Sequence, residues 1–265
     1  MFNENHTGKE VAYVIRILSR TLFSFKCSVE NYRTFFAAFK IALNSRTVFN
    51  AILWILGSGA AWRDLPKEYG NWNSIYHVFR RWIEVGVFEK IFRALVDDCR
   101  EYYLVEIDST FCKVHQHAAG VRKILGNQEI GISRGGKTTK IHALVNENFQ
   151  LLQIFLSGGQ VGDNKVAIKL FEDLNIEGKN ILGDKAYGSK KFRVFIAEHN
   201  ASACIPDKSN AVEIHDFDKE LYKARNIIER FFNRIKNFRH IATRYDKLSI
   251  CFLNFVLLAA VMIKI

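Results

Sequence analysis

The hydrophobic pattern of this chain changes period near residue 100, and that change restricts its possible folds more than any other feature. Before it, Ile75, Val78, Phe79 and Trp82 recur at helical spacing, as do Phe88, Ile91, Phe92 and Leu95, with Gly86 between the two runs. VFNAILWILGS (48–58) is a further short apolar helix candidate, and Pro66 and Gly70 interrupt the chain after it. Beyond residue 100, YLVEIDSTFCKV, KIHALVN, LLQIFLS, NILGD and SACIP read as short strands. Helical periodicity covers Asn164–Leu174 and Ser189–His199, and one long helix is expected over roughly Lys219 to Arg239. Three strands in succession followed by alternating helix and strand imply a mixed α/β sheet flanked by helices. The chain divides accordingly into a small all-helical unit, 45–100, and an α/β domain, 101–265.

Composition narrows the class. Hydrophobic residues at 49% with 25% charged residues describe a globular protein. Lys and Arg number 38 against 27 Asp and Glu, and the resulting charge of +11 favours polyanionic partners. Charge alone is weak evidence, since ribosome-associated and membrane-surface proteins are also basic. Five scattered cysteines form neither a disulfide framework nor a zinc pattern, so a reducing cytoplasm fits. The start, MFNENHTGKE, lacks the layout of a secretory signal. The longest apolar tract, Ile250 to Ile263, is too short to span a bilayer and reads as a buried terminal helix.

Three carboxylates stand out by position. Asp108 interrupts the apolar strand VEIDSTF, where an acid is costly to bury unless it is paired or binds a metal. Asp184 closes the strand NILGD, at the kind of carboxyl end where ligands sit in open α/β sheets. Glu229 lies within the late helix. Hard divalent cations take carboxylate ligands, and a pair of them can activate an attacking oxygen and stabilise a leaving one in phosphodiester chemistry.

The late helix supplies a separate check. At about 100° per residue, Tyr222, Arg225 and Lys236 fall within roughly 40° of Glu229. Ile227, Ile228, Phe231, Ile235 and Phe238 gather on the opposite side as a core stripe. Lys219 to Lys247 holds nine Lys/Arg against three Asp/Glu. Taken alone, an Arg225–Glu229 pair on a solvated face is the simpler account. Combined with the two strand aspartates, a site is the better one.

Tyr222-x2-Arg225-x3-Glu229-x6-Lys236 resembles the signature around the catalytic glutamate of bacterial insertion-sequence DDE transposases. DSTFCKVHQHAAG (108–120), GISRGGKTTKIHALV (131–145) and ILGDKAYGS (181–189) are similar to further blocks of that family, in its order. The likeness is to the "insertion sequence five" group, and 51–82 resembles that group's N-terminal region. It covers about Ser45 to Lys247, whereas residues 1–44 depart from the pattern.

The resemblance implies an RNase H-like catalytic domain with Asp108, Asp184 and Glu229 holding Mg2+, for which Mn2+ can substitute. It implies catalytic roles for Tyr222, Arg225 and Lys236, and double-stranded DNA partners in the form of inverted-repeat ends and target DNA. A homodimer or larger assembly on DNA, a bacterial nucleoid-associated location and no nucleotide cofactor belong to the same expectation. Arg134, Lys137, Lys140, Arg230 and Arg234 are the expected DNA contacts. The 45 residues from Asp184 to Glu229 leave no room for a large inserted domain. Two alternatives stay open: an inactive transposase remnant that only binds DNA, and an RNase H-like nuclease without strand transfer.

Other signals compete. Gly131 to Thr138 satisfies the phosphate-loop pattern GxxxxGK[ST], but no helix is expected after it, so a basic loop beside DNA suits it better. His115 and His117 share a strand face in an extended reading, with a structural or substrate-contact role favoured. Asp163 reads as a helix N-cap rather than a metal ligand. Trp54, Trp62, Trp72 and Trp82 read as core. Arg80, Arg81, Lys90 and Arg93 of the helical unit suit DNA phosphates and a solvated lid or dimerisation face equally well.

Overall fold

A computed structural model describes residues 45–97, 101–120, 126–211 and 213–264. The atypical segment 1–44 lies outside them.

The helical unit begins with α1 (Ser45–Ser58), which buries Val48, Phe49, Ala51, Ile52, Ile55 and Leu56 along one stripe. It stops at Gly59, where φ is +65° and the N–H closes on Ile55 O at 2.9 Å. Glycine adopts that left-handed backbone without a Cβ penalty. Here it also admits a close neighbour, because a Cβ at Gly59 would lie 3.0 Å from Arg239 Cβ. Two short 3-10 turns then lead to α2 (Trp72–Glu84), capped by the Asn71 side chain on Asn73 N (2.9 Å) and Ser74 N. The chain reverses at Gly86, φ +71°, into α3 (Val87–Asp97).

The sheet is built from β1 (Leu104–Val114), β2 (Gly131–Ser133), β3 (Gly136–Asn146), β4 (Leu151–Gly158), β5 (Asn180–Gly183), β6 (Ser202–Cys204) and β7 (Thr243–Arg244). β3 runs antiparallel to both β1 and β4, whereas β5 is parallel to β1 and β6 is parallel to β5. The order β4-β3-β1-β5-β6, with those directions, is that of an RNase H-like sheet. Along its free side β1 pairs with β5 over residues 104–107 and with β7 at Lys113 and Val114. Between those two stretches the strand edge is open at Asp108.

Helices α4 (Ala167–Phe171) and α5 (Lys190–Glu198) cover one face. Val105, Ile107 and Leu144 point to them. The opposite face, with Cys112, Ile141, Ala143 and Val145, packs on α7 (Asn226–Ile235), α9 (Ser249–Lys264) and the helical unit. Alternate strand residues thus serve two cores, as a period of two requires. The ring of Phe255 on α9 lies 4.8 Å from Phe79 on α2. Buried residues of the helical unit and of one sheet face thus belong to one hydrophobic cluster. Trp82 is buried in it, and Trp54, Trp62 and Trp72 pack partly buried against it. Among the described residues no helix is long and apolar enough to cross a membrane.

Two expected elements differ. The long helix over Lys219 to Arg239 is broken into α6 (Lys219–Tyr222), a 3-10 turn at Lys223–Arg225, α7, and α8 (Arg239–Ala242). A 3-10 turn advances about 120° per residue rather than 100°, so three such residues turn Tyr222 by about 60° from its place in an unbroken helix, which leaves it about 40° from Glu229 on the wheel. It packs on the core of Leu104, Leu182 and Cys204, edge-on to Phe217. The helix expected over Asn164–Leu174 is limited to α4 after a 3-10 turn at Asp163–Lys165.

Candidate active site

Asp108 and Asp184 come together through strand pairing. Ile107 and Gly183 are the last paired residues of the parallel β1 and β5, and each aspartate follows directly. Parallel neighbours lie about 4.8 Å apart, so two acids sit side by side at the carboxyl ends of adjacent central strands. Asp108 Oδ1 accepts from Ser109 N at 2.7 Å, and Asp184 Oδ1 from Ala186 N at 2.8 Å. Burial pushes the Asp108 carboxyl up to about 6, opposed by the Ser109 N–H and reinforced by the charge of Asp184.

Helix α7 crosses the same face of β1 and is fastened at two points. The Glu106 carboxylate, fully buried, accepts from Ile228 N at 2.8 Å. At the other end the Lys236 ammonium donates to Thr110 Oγ1. From Ile228 to Lys236 a helix rises about 12 Å, and from Glu106 to Thr110 a strand rises about 13 Å. Helix and strand run in step, with Asp108 between the two fastenings.

Glu229 follows Ile228 in this helix, half-exposed, with Oε1 3.0 Å from Arg225 Nη2. Its charge is felt at Tyr222, as is that of Asp184. The expected i, i+4 pair is present, and Glu229 is directed at Arg225 rather than at the two aspartates. Among the described residues no three of His, Cys, Asp or Glu lie close enough together to hold one ion. The donor set nevertheless suits a hard cation: two neighbouring carboxylates, one with its pKa raised by burial and by the other, gain from a positive charge between them. Arg225 also lies over the Tyr222 ring at 5.8 Å.

A second layer sits behind the aspartates, and Asp163 belongs to it. The residue that starts its 3-10 turn is Gly162, so the expected N-cap role is replaced. Asp163 Oδ1 instead accepts from Ser109 Oγ at 2.7 Å and from Lys140 Nζ at 2.9 Å. Its charge adds to that around Asp108. Lys140, expected on an exposed DNA-facing loop, is 6% exposed within β3 and also donates to Val161 O at 2.8 Å. Two of its three donors are committed to oxygens, and the ammonium is buried beside the Phe111 ring at 4.9 Å, so it faces the protein interior rather than solvent. Beside it, burial lowers the His142 pKa to about 4 while Nε2 meets Ser157 Oγ at 2.7 Å. Burial drives the Tyr187 phenol far above its ordinary range, with Asp163 and Asp108 adding to the effect.

The remaining expected contacts are dispersed. Arg134 and Lys137 are exposed at the tip of the β2–β3 hairpin. Because Lys137 and Thr138 lie on a strand, the phosphate-loop pattern has no helix N-terminus to complete it. Arg230 and Arg234 project from α7 and lie over the Phe149 ring, at 4.5 and 5.1 Å. His115 and His117 occupy a 3-10 corner after β1, stacked on one another at 4.8 Å, rather than alternating along a strand. On the helical unit, Arg80 pairs with Glu84 at 3.8 Å and Arg93 with Glu89 at 3.9 Å.

Sequence reasoning missed Glu106. An acid two residues before Asp108 necessarily shares its strand face, and that was the available signal.

Comparison with known families identifies the relatives of the chain. Residues 100–263 match the model described as "Transposase DDE domain", and residues 40–92 the one described as "Putative transposase of IS4/5 family (DUF4096)". A "Putative transposase for insertion sequence element IS6501" from Brucella ovis is 38% identical over 127 residues, covering 48% of this chain and 97% of that protein. "Uncharacterized protein y4sN" from Sinorhizobium fredii is 39% identical over 85 residues, 32% of this chain and 67% of that one. Among solved structures, the piggyBac transposase synaptic complex with hairpin DNA aligns at 12% identity and a TM-score of 0.39. That alignment covers 64% of this chain and 41% of the piggyBac chain. A pre-cleavage Mos1 transpososome aligns at 9% identity and a TM-score of 0.28, over 91% and 97% of the respective chains. With more than half of its length, residues 100–263, matched by that model, the chain belongs to the DDE transposase family.

Proposed function

We propose that this chain cleaves DNA at the inverted-repeat ends of a mobile element and joins those ends to target DNA. The observation that carries the reading is the placement of Asp108 and Asp184 on adjacent central strands, with the Glu229 helix in step across the same face. Asp108, Asp184 and Glu229 would hold divalent metal, Mg2+ or Mn2+, with Glu229 leaving Arg225 to do so. The metal when bound supplies activation of an attacking oxygen and neutralisation of charge on the scissile phosphate.

The chain's own residues do the rest. The side-by-side aspartates create the negative field that recruits a cation, and the edge of β1 open at Asp108 gives a backbone phosphate access. Arg225, released from Glu229, has donors for a phosphate oxygen, and Lys236 at Thr110 fixes a positive charge two residues from Asp108 along the strand. Tyr222 lies within reach of Arg225 and serves to position the terminal nucleotide. Arg134, Lys137, Arg230 and Arg234 supply exposed charge for the flanking duplex, and the helical unit adds Arg80, Arg81, Lys90 and Arg93. Lys140 is left out of this set, since it neutralises Asp163.

The test is Asp184→Asn. Mg2+-dependent strand cleavage should disappear while end binding persists; cleavage at the unmodified rate would remove Asp184 from the site. Pre-cut ends mixed with target DNA separate a transposase from a nuclease, because only the former yields a joined product.

A further inference from the structure

Helix α7 carries Glu229, yet it has no cap of its own. Its first turn begins at Arg225, which is helical and whose side chain makes no capping bond. The N–H groups at a helix start have no partner within the helix, and leaving one buried and unpaired costs stability. Glu106, 122 residues earlier in the chain, supplies the acceptor: Oε2 takes the Ile228 N–H at 2.8 Å, from a position with no solvent exposure. Burial pushes the Glu106 carboxyl up to about 7, and the Ile228 N–H opposes that rise; the bond to the amide needs only an acceptor oxygen, which either protonation state provides. Glu106 is thus a cap delivered by another element, and that element is the strand holding Asp108.

From this geometry we propose that Glu106 is a positioning residue, which fixes the register of α7 against β1 and so sets Glu229 relative to Asp108. This rests on the reading of Glu229 and Asp108 as metal ligands. The Lys236 bond to Thr110 at the far end of α7 constrains the same register, but an ammonium on a flexible stem tolerates sliding better than a buried carboxylate on a backbone N–H does. Reach matters more than charge in such a role. A glutamine at position 106 keeps an oxygen at the same distance, whereas an aspartate keeps the charge but falls one methylene short of Ile228.

The experiment compares Glu106→Gln and Glu106→Asp in the full chain. Amide hydrogen exchange is measured without metal or DNA, alongside Mg2+ titration of cleavage. Binding of a labelled duplex taken from the sequence flanking the gene completes the set. In Glu106→Asp the first-turn amides of α7 should exchange about tenfold faster, as loss of a helix cap predicts. The half-saturating Mg2+ should rise about tenfold or more, as for loss of a residue that orients a ligand, with duplex affinity changed less than about threefold. Glu106→Gln should match the wild type in exchange and in Mg2+ requirement. Normal exchange in Glu106→Asp, or a Glu106→Gln variant as impaired as Glu106→Asp, would overturn the proposal. Absence of cleavage by the wild type would overturn the transposase reading instead, while the exchange comparison would still decide whether Glu106 caps α7.

Discussion

Arg225 holds Glu229 one helical turn away, Nη2 to Oε1 at 3.0 Å, so the carboxylate proposed as the third metal ligand is paired with an arginine. Both side chains are partly exposed, so the pair is a weak restraint, worth about 0.3–0.5 kcal/mol. Arg225→Ala should therefore move the unfolding free energy by no more than about 0.5 kcal/mol in a urea titration. If the arginine contacts the scissile phosphate as proposed, single-turnover cleavage should fall by about tenfold or more. A stability loss of several kcal/mol with cleavage intact would mark the pair as structural.

Lys140 and Asp163 form a more consequential couple, since the ammonium is buried at 6% exposure. Removing one partner of a buried pair leaves the other uncompensated, at a cost of about 3 kcal/mol. Lys140→Met should lose about that much, and Lys140→Met combined with Asp163→Leu should recover most of it. Additive losses in the double-mutant cycle would show that the two do not interact.

Asp108 gives the metal-free protein a defined pH response. Its folded pKa is raised from 3.8 to about 6, by burial first. The folded state then binds its proton more tightly than the unfolded state does, so this carboxyl costs stability above pH 6. The cost is relieved as the pH falls from 6 towards 4. Relative to Asp108→Asn, wild type should gain thermal stability over that interval, measured in EDTA; a constant difference between them would contradict the raised pKa. Metal binding should follow the reverse course and weaken below pH 6, as the ligand protonates.

Arg230 and Arg234 lie over Phe149 yet remain solvent-exposed. If they meet backbone phosphates, each alanine variant should weaken binding uniformly across sequences and reduce the log–log salt slope by about 1. An unchanged slope would assign both arginines to the contact with the β3–β4 turn alone.

Much of this was written locally. The apolar stripe of Ile228, Phe231 and Ile235, the isolated acid in VEIDSTF and the strand-end acid of NILGD all follow from spacing, because period and punctuation depend on near neighbours. They sufficed to place Asp108, Asp184 and Glu229 on a strand, a strand end and a helix. Tertiary structure decided what those residues face. Lys140 looks like loop charge in sequence, but the hairpin extends β3 back to Gly136 and buries it against Asp163, 23 residues away. The late helix breaks before α7, and the missing cap comes from Glu106, 122 residues earlier. Sequence periodicity cannot specify partners so distant, since they meet only when strands pair and helices pack. What the chain alone determined was which residues carry charge and on which element. The folded sheet decided which charges are neutralised, which remain exposed and which two stand side by side.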